Sequence, residues 1–278
     1  MADLRAENVS RIVTGFALQE YRFKQLCMVQ SSNSWKETYF KETAADLTGG
    51  TGSAVQGVPR LAAFPYGEVT FTEASSRHLK HGMEGVISWE DAKTNEIDVI
   101  ARTLLRIARA VAKSVDANIY SALTTDTGNT VAASDNWDSA TVANRNPIQD
   151  ILNAIKLIQE DNYDPYTNGF LLLTPKDFAN LMGNASIRNA GQFWTSDVTK
   201  NGKVGKLLGL TMVVSNNVTA DEAMVVIAKE AITWKSAQGL TVKTIEDPGV
   251  KFTIRAYEVG TAQVKNPDAV CTITNTQV

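Results

Sequence analysis

Between Glu96 and Leu123, apolar residues return at three- and four-residue steps: Ile97, Ile100, Leu104, Ala108, Val111, Val115 and Ile119. Asp98, Arg102, Arg106, Arg109, Lys113 and Asp116 recur at the same steps on the opposite side. This is the pattern of one amphipathic helix with a core-facing stripe and a charged face. Roughly 28 residues at 1.5 Å each make a rod of about 42 Å, well beyond the usual helix length. A rod that long spans a whole domain, so the remaining elements have to be arranged along it. Just upstream, Ser88 offers an N-cap, with Glu90 and Asp91 where the positive end of the helix dipole favours acids. A short helix therefore comes first, and the main one begins near Glu96.

The segments before the rod are of a different kind. The first thirty or so residues have weak periodicity and read as a short helix followed by an extended arm. "WKETYFKET", from Trp35 to Thr43, alternates as a strand does. "TGGTGSAVQGVPRLAAFPYG" is loop chemistry, because glycine frees the backbone and proline removes a ladder donor. "EVTFTEASSRHLKHGMEGVIS" then reads as a long extended strand with little core of its own. Some fifty residues of strand, loop and strand with so few large apolar groups do not bury a core alone. Laid on a second copy, such an arm would bury Trp35, Tyr39, Phe40, Phe64, Tyr66 and Phe71; otherwise it is a loose loop.

After the rod, residues 124–146 have loop composition, and Asn146-Pro147 stand where an N-cap and N1 residue belong. Ile148, Ile151, Leu152, Ile155 and Ile158 form the stripe of a second helix, which stops before Asp164-Pro165. "GFLLLT" is a short buried strand, and Thr174-Pro175 opens the helix "PKDFANLM". "LTMVVSN", "AMVVIAK", "AITWKSA" and "LTVKTIE" read as four strands, and "VKFTIRAYEVGTAQVKNPDAVCTIT" as two more around a turn at Asn266-Pro267-Asp268. The fold class is α+β, with two compact regions and an extended arm.

Reactive chemistry is sparse. The two histidines, His78 and His81, have a ligand-like spacing on an expected strand, but no further ligands accompany them. They also lie near no candidate nucleophile, so Ser-His-Asp and Cys-His sites have no support. "NGKVGKLLG" departs from a phosphate-binding loop: two residues separate Gly202 from Gly205, and Leu207 follows Lys206. A turn leading into a strand explains it better. Cys27 and Cys271 stand near opposite ends, which argues against a disulfide scaffold and for a reducing compartment. A net charge of -3 gives no bulk attraction to nucleic acid or membrane, so any such contact rests on a local patch. The candidate patch is Arg102, Arg106, Arg109 and Lys113, which reads either as a solvated face or as a contact with a neighbour's acidic arm or with DNA. No enzyme, metal or cofactor is expected, and no apolar run is long enough to span a bilayer.

The order of these segments resembles the major capsid proteins of tailed phages, the Hong Kong 97-type fold shared with encapsulin compartments. The resemblance rests on the glycine-rich arm, "ISWEDA", the long helix ending "AKSVDANIYSAL", "GFLLLTPKDFANLM", "GKLLGLTMVVSNNV" and the closing "VKNPDAV". It implies an N-terminal arm over residues 1–34 and an extended β-loop over 35–87. A peripheral domain with a spine helix would cover 88–145, an axial domain 146–245, and C-terminal strands of the peripheral domain 246–278. Met1 leads almost directly into the arm, so the scaffolding segment of many members is expected to be missing. The implied partners are further copies of the chain, packaged double-stranded DNA, and portal, scaffold or decoration proteins. The implied location is the virion capsid, assembled in host cytoplasm. An encapsulin-like compartment holding cargo enzymes is the alternative.

Overall fold

The computed structural model describes residues 6–42, 59–63, 72–94, 98–185, 187 and 205–278. In chain order its elements begin with α1 (Ala6–Glu20), β1 (Met28–Ser31), β2 (Lys36–Lys41), β3 (Thr72–Arg77) and β4 (Leu79–Ser88). α2 (Trp89–Thr94), α3 (Val99–Thr125), β5 (Asn129–Ala132), α4 (Pro147–Glu160) and α5 (Pro165–Asn168) follow. β6 (Gly169–Leu173), α6 (Pro175–Gly183), β7 (Lys206–Leu207), β8 (Leu210–Val214) and β9 (Glu222–Ile227) come next. β10 (Ile232–Asp247), β11 (Lys251–Val264) and β12 (Val270–Thr274) close the series. β2 and β3 pair as a two-stranded ribbon. The chain divides into two compact units.

Unit 1 comprises residues up to Glu37, Ser75–Ala122 and Thr233–Gln263. Its sheet has the order β1-β10-β11-β4. β1 runs parallel to β10, and β4 pairs antiparallel with β11 from Leu79↔Gly260 to Ser88↔Lys251. The long helix α3 is the one its periodicity predicts, and Leu104, Ala108, Val111, Val115 and Ile119 are all buried. Gly85 of β4 lets the helix approach closely, since a Cβ there would fall 2.7 Å from both Ile107 Cδ1 and Thr103 Cγ2. The helix starts one turn after the short α2, as Ser88 and Asp98 dictate. Ser88 Oγ accepts the Asp91 N–H, and Asp98, at φ +50°, accepts the Ala101 N–H.

Unit 2 comprises Thr38–Ala74, Leu123–Ile232 and Val264–Val278. Its six-stranded sheet has the order β5-β12-β9-β6-β8-β7. The central strands are apolar without interruption and fully buried, as Leu171–Leu173, Ala223–Val226 and Val270–Cys271 show. Asn146 caps α4 ahead of Pro147, and Thr174 caps α6 ahead of Pro175. Asp164 caps the additional single-turn α5. At Leu208-Gly209 both φ values are positive, +51° and +83°, which makes the tight turn of the β7–β8 hairpin. Of the stretch that superficially suggests a phosphate loop, the described part, residues 205–209, is a short strand and a turn.

Several boundaries fall elsewhere than expected. Within the described part of the expected N-terminal arm, residues 1–34, α1 and β1 belong to unit 1. The expected loop over 35–87 includes β4, an integral strand of the unit 1 sheet. Residues 123–145 fall in unit 2, where β5 pairs with β12, although α3 as far as Ala122 lies in unit 1. "AITWKSA" and "LTVKTIE" are not two strands but one, β10, and residues 233–245 lie in unit 1 rather than with the elements before them. The closing pair is also divided, with β11 in the unit 1 sheet and β12 between β9 and β5 in unit 2. Alternation in sequence fixes which face of a strand is apolar, whereas sheet membership is set by partners far along the chain.

Candidate functional site

The β2–β3 ribbon carries the aromatic residues expected to dock on a neighbour. Trp35, just before β2, is 71% exposed and Phe40 is 56% exposed, while Tyr39 is half-buried. Burial raises the Tyr39 hydroxyl, assisted by the charge of Asp126. Phe64, Tyr66 and Phe71 lie outside the described residues, as does the Gly49–Gly57 stretch. Within unit 2, Lys41 Nζ meets Asp126 Oδ1 at 2.5 Å. Beside Trp35, a groove of about 220 Å³ is lined by Ser32, Asn33, Ser34, Ala237, Gln238 and Val259.

The unit 1 end of the ribbon is polar and partly buried. Glu37 lies 3.9 Å from Lys235 Nζ and 4.0 Å from His78 Nε2, and it accepts from Gln263 Nε2 at 3.4 Å. His78 Nε2 also contacts Ser32 Oγ at 3.2 Å, and Gln263 Nε2 donates to Ser76 Oγ at 2.8 Å. His81 is buried on β4, with Nδ1 2.9 Å from Ser114 Oγ, and burial lowers its pKa. The strand pattern placed both histidines in an extended segment but gave no sign that they are interior residues. Among the described residues, no group of three or more His, Cys, Asp or Glu is placed to hold a metal ion. Cys27 and Cys271 are free and buried, and burial pushes both thiols up, that of Cys271 to about 12. Neither is poised as a nucleophile.

Arg102, Arg106, Arg109 and Lys113 are all exposed along one face of α3. Arg109 Nε donates to Glu20 Oε1 at 2.8 Å, which ties this face to the end of α1. With both side chains partly in water, such a pair contributes about 0.2–1 kcal/mol. Asp116 does not flank the stripe at the surface as its spacing predicts. It is 3% exposed and accepts the main-chain N–H groups of Arg22, Phe23 and Lys24. The turn that follows α1 covers that end of the helix, and helical periodicity contains no information about a segment over ninety residues away.

Among the described residues, no helix is long and apolar enough to cross a membrane. The model of a family described as phage capsid protein matches residues 76–273, more than half of the chain. No curated protein sequence matches. Among solved structures, the capsid of cyanophage P-SCSP1u is similar with a TM-score of 0.70 and 14% identity, over 93% of this chain and 90% of that one. A solved structure from Mycobacterium phage Ogopogo aligns with a TM-score of 0.64 and 18% identity, over 92% of each chain. A virus-like particle from Pyrococcus furiosus aligns with a TM-score of 0.66 and 11% identity, over 96% of this chain and 98% of that one. These likenesses show the Hong Kong 97-type fold.

Proposed function

The chain belongs to the phage capsid protein family, and on that premise we propose that it closes an icosahedral or prolate shell of pentamers and hexamers around double-stranded DNA. It is a major capsid protein, a structural subunit of the virion shell. In this reading unit 1, with its spine helix, is the peripheral domain, and unit 2 is the axial domain that meets its copies around the five- and six-fold axes. The observation that carries the assembly reading is the ribbon: Trp35 and Phe40 remain exposed on the strand segment that the chain's own core leaves uncovered. Covering them, with Tyr39, Phe64, Tyr66 and Phe71, on an adjacent copy removes apolar area from water at every contact, and a closed shell repeats that gain by symmetry.

The cations of α3 are the proposed contact with packaged DNA, or with an acidic segment of a neighbour. Four exposed positive charges bind phosphates without sequence preference and lose hold as salt rises. Portal, scaffold and decoration proteins are further proposed partners, and host cytoplasm is the proposed place of assembly. The encapsulin-like alternative has support in the Pyrococcus furiosus likeness, but the family match favours the viral shell. Electron microscopy of the purified protein tests assembly. Closed particles, or five- and six-fold capsomers, are expected. Nucleic acid recovered from particles made in infected cells, rather than a cargo enzyme, would separate the two kinds of shell.

A further inference from the structure

We propose that residues Ala6–Leu26 form a detachable strap, whose hold on unit 1 is set by the charge on a clasp made by Asp116 and Glu258. The strap consists of α1 and the turn after it, and it is joined to the unit 1 sheet by side chains rather than by a strand ladder. Asp116, buried on α3, receives three consecutive amides: Arg22 N–H on Oδ2 at 2.8 Å, and Phe23 and Lys24 N–H on Oδ1 at 3.2 and 3.3 Å. Glu258, fully buried on β11, accepts Tyr21 Oη–H at 2.6 Å and Trp234 Nε1–H at 3.2 Å, and it pairs with Lys24 Nζ. Lys24 Nζ also sits 4.5 Å from the centre of the Tyr21 ring. Two interior carboxylates thus grip four successive residues, Tyr21 to Lys24.

The rest of the strap has an apolar underside: Val9, Val13, Ala17, Phe23 and Leu26 are fully buried, and the Phe23 ring lies 5.9 Å from that of Tyr120. An element attached by one apolar stripe and a few side-chain bonds opens at lower cost than the sheet it covers. The groups that face the clasp are Tyr21 and Lys24 on the strap, Cys27 just after it, Glu258 on β11, and His81 on β4 beside Glu258. Lys113 and Arg109 lie about one and two turns earlier on α3. Asp116 is the group whose titration burial carries into the range of interest. Burial raises its pKa from 3.8 to about 6, against the opposing pull of the three amides and Lys24. The folded pKa is the higher one, so the protonated clasp holds the strap more tightly. That advantage is complete below the released value and is lost as pH rises through about 6.

The test is hydrogen exchange of the full chain, corrected for the intrinsic pH dependence of amide exchange. Between about pH 5 and about pH 8, protection of the Arg22–Leu26 amides should fall roughly tenfold relative to the β10–β11 amides, as one linked proton requires. Asp116→Asn, which does not titrate, should abolish that relative pH dependence. The wild-type profile decides the matter even if this variant folds poorly. Strap and sheet amides that exchange together at every pH would overturn the proposal, as would a folded Asp116→Asn variant that keeps the wild-type slope.

Discussion

Helix α3 and strand β2 place their large apolar residues in opposite environments. Along α3, Leu104 and Val111 are each 1% exposed and Val115 is fully buried. At β2, Trp35 and Phe40 stand mostly in water, next to a turn and loop sequence with few large side chains. A residue enclosed by its own chain contributes to the stability of the subunit, whereas an exposed one contributes when a second surface arrives. On the proposed function, the comparison assigns subunit stability to the helix and assembly to the ribbon.

The largest expected effect falls on the helix. Leu104→Ala removes a side chain only 1% exposed and should destabilise the subunit by about 2–5 kcal/mol, measured by denaturant unfolding of the unassembled protein. A loss below about 0.5 kcal/mol, the range of ordinary surface substitutions, would break the comparison on that side. Next comes Asp150→Ala in unit 2. Asp150 is fully buried and accepts both Ser134 N–H and Trp137 Nε1–H, at 3.0 Å each. Its removal leaves two donors without their acceptor and should cost about 1–3 kcal/mol, with Trp137 fluorescence reporting the loosened loop. A smaller effect on subunit stability, within about 0.5 kcal/mol, is expected for Arg106→Glu with Arg109→Glu, because both side chains are exposed. Retention of DNA or assembly should fall instead. Normal behaviour in both at physiological salt would reduce the stripe to a solvated face.

Much of this contrast was legible in the sequence. The caps at Ser88, Asn146 and Thr174 and the apolar stripe of α3 are local signals, and each element forms where its signal stands. What escaped were properties that distant segments impose. Asp116 shares the charged periodicity of Arg102 and Arg109, yet the Arg22–Lys24 amides bury it. His78 and His81 look like surface residues of an extended arm until β4 is seen paired along β11. "AITWKSA" and "LTVKTIE" read as two strands, but the backbone runs through Gly239 between them in a single strand, since glycine permits a turn without requiring one. The division of the closing strands between two sheets follows from pairings with β4 and β9, which no local pattern specifies.

The most direct test of the central claim is a paired measurement on Trp35→Ser with Phe40→Ser: the unfolding free energy of the subunit, and particle yield by sedimentation and electron microscopy. Wild-type protein should form closed particles or capsomers. The double variant should unfold within about 0.5 kcal/mol of wild type, as exposed positions do, while losing most of its particles. A wild-type chain that stays monomeric across concentration and salt would contradict the account. So would a double variant that assembles at full yield, or one whose subunit is destabilised as much as that of Leu104→Ala.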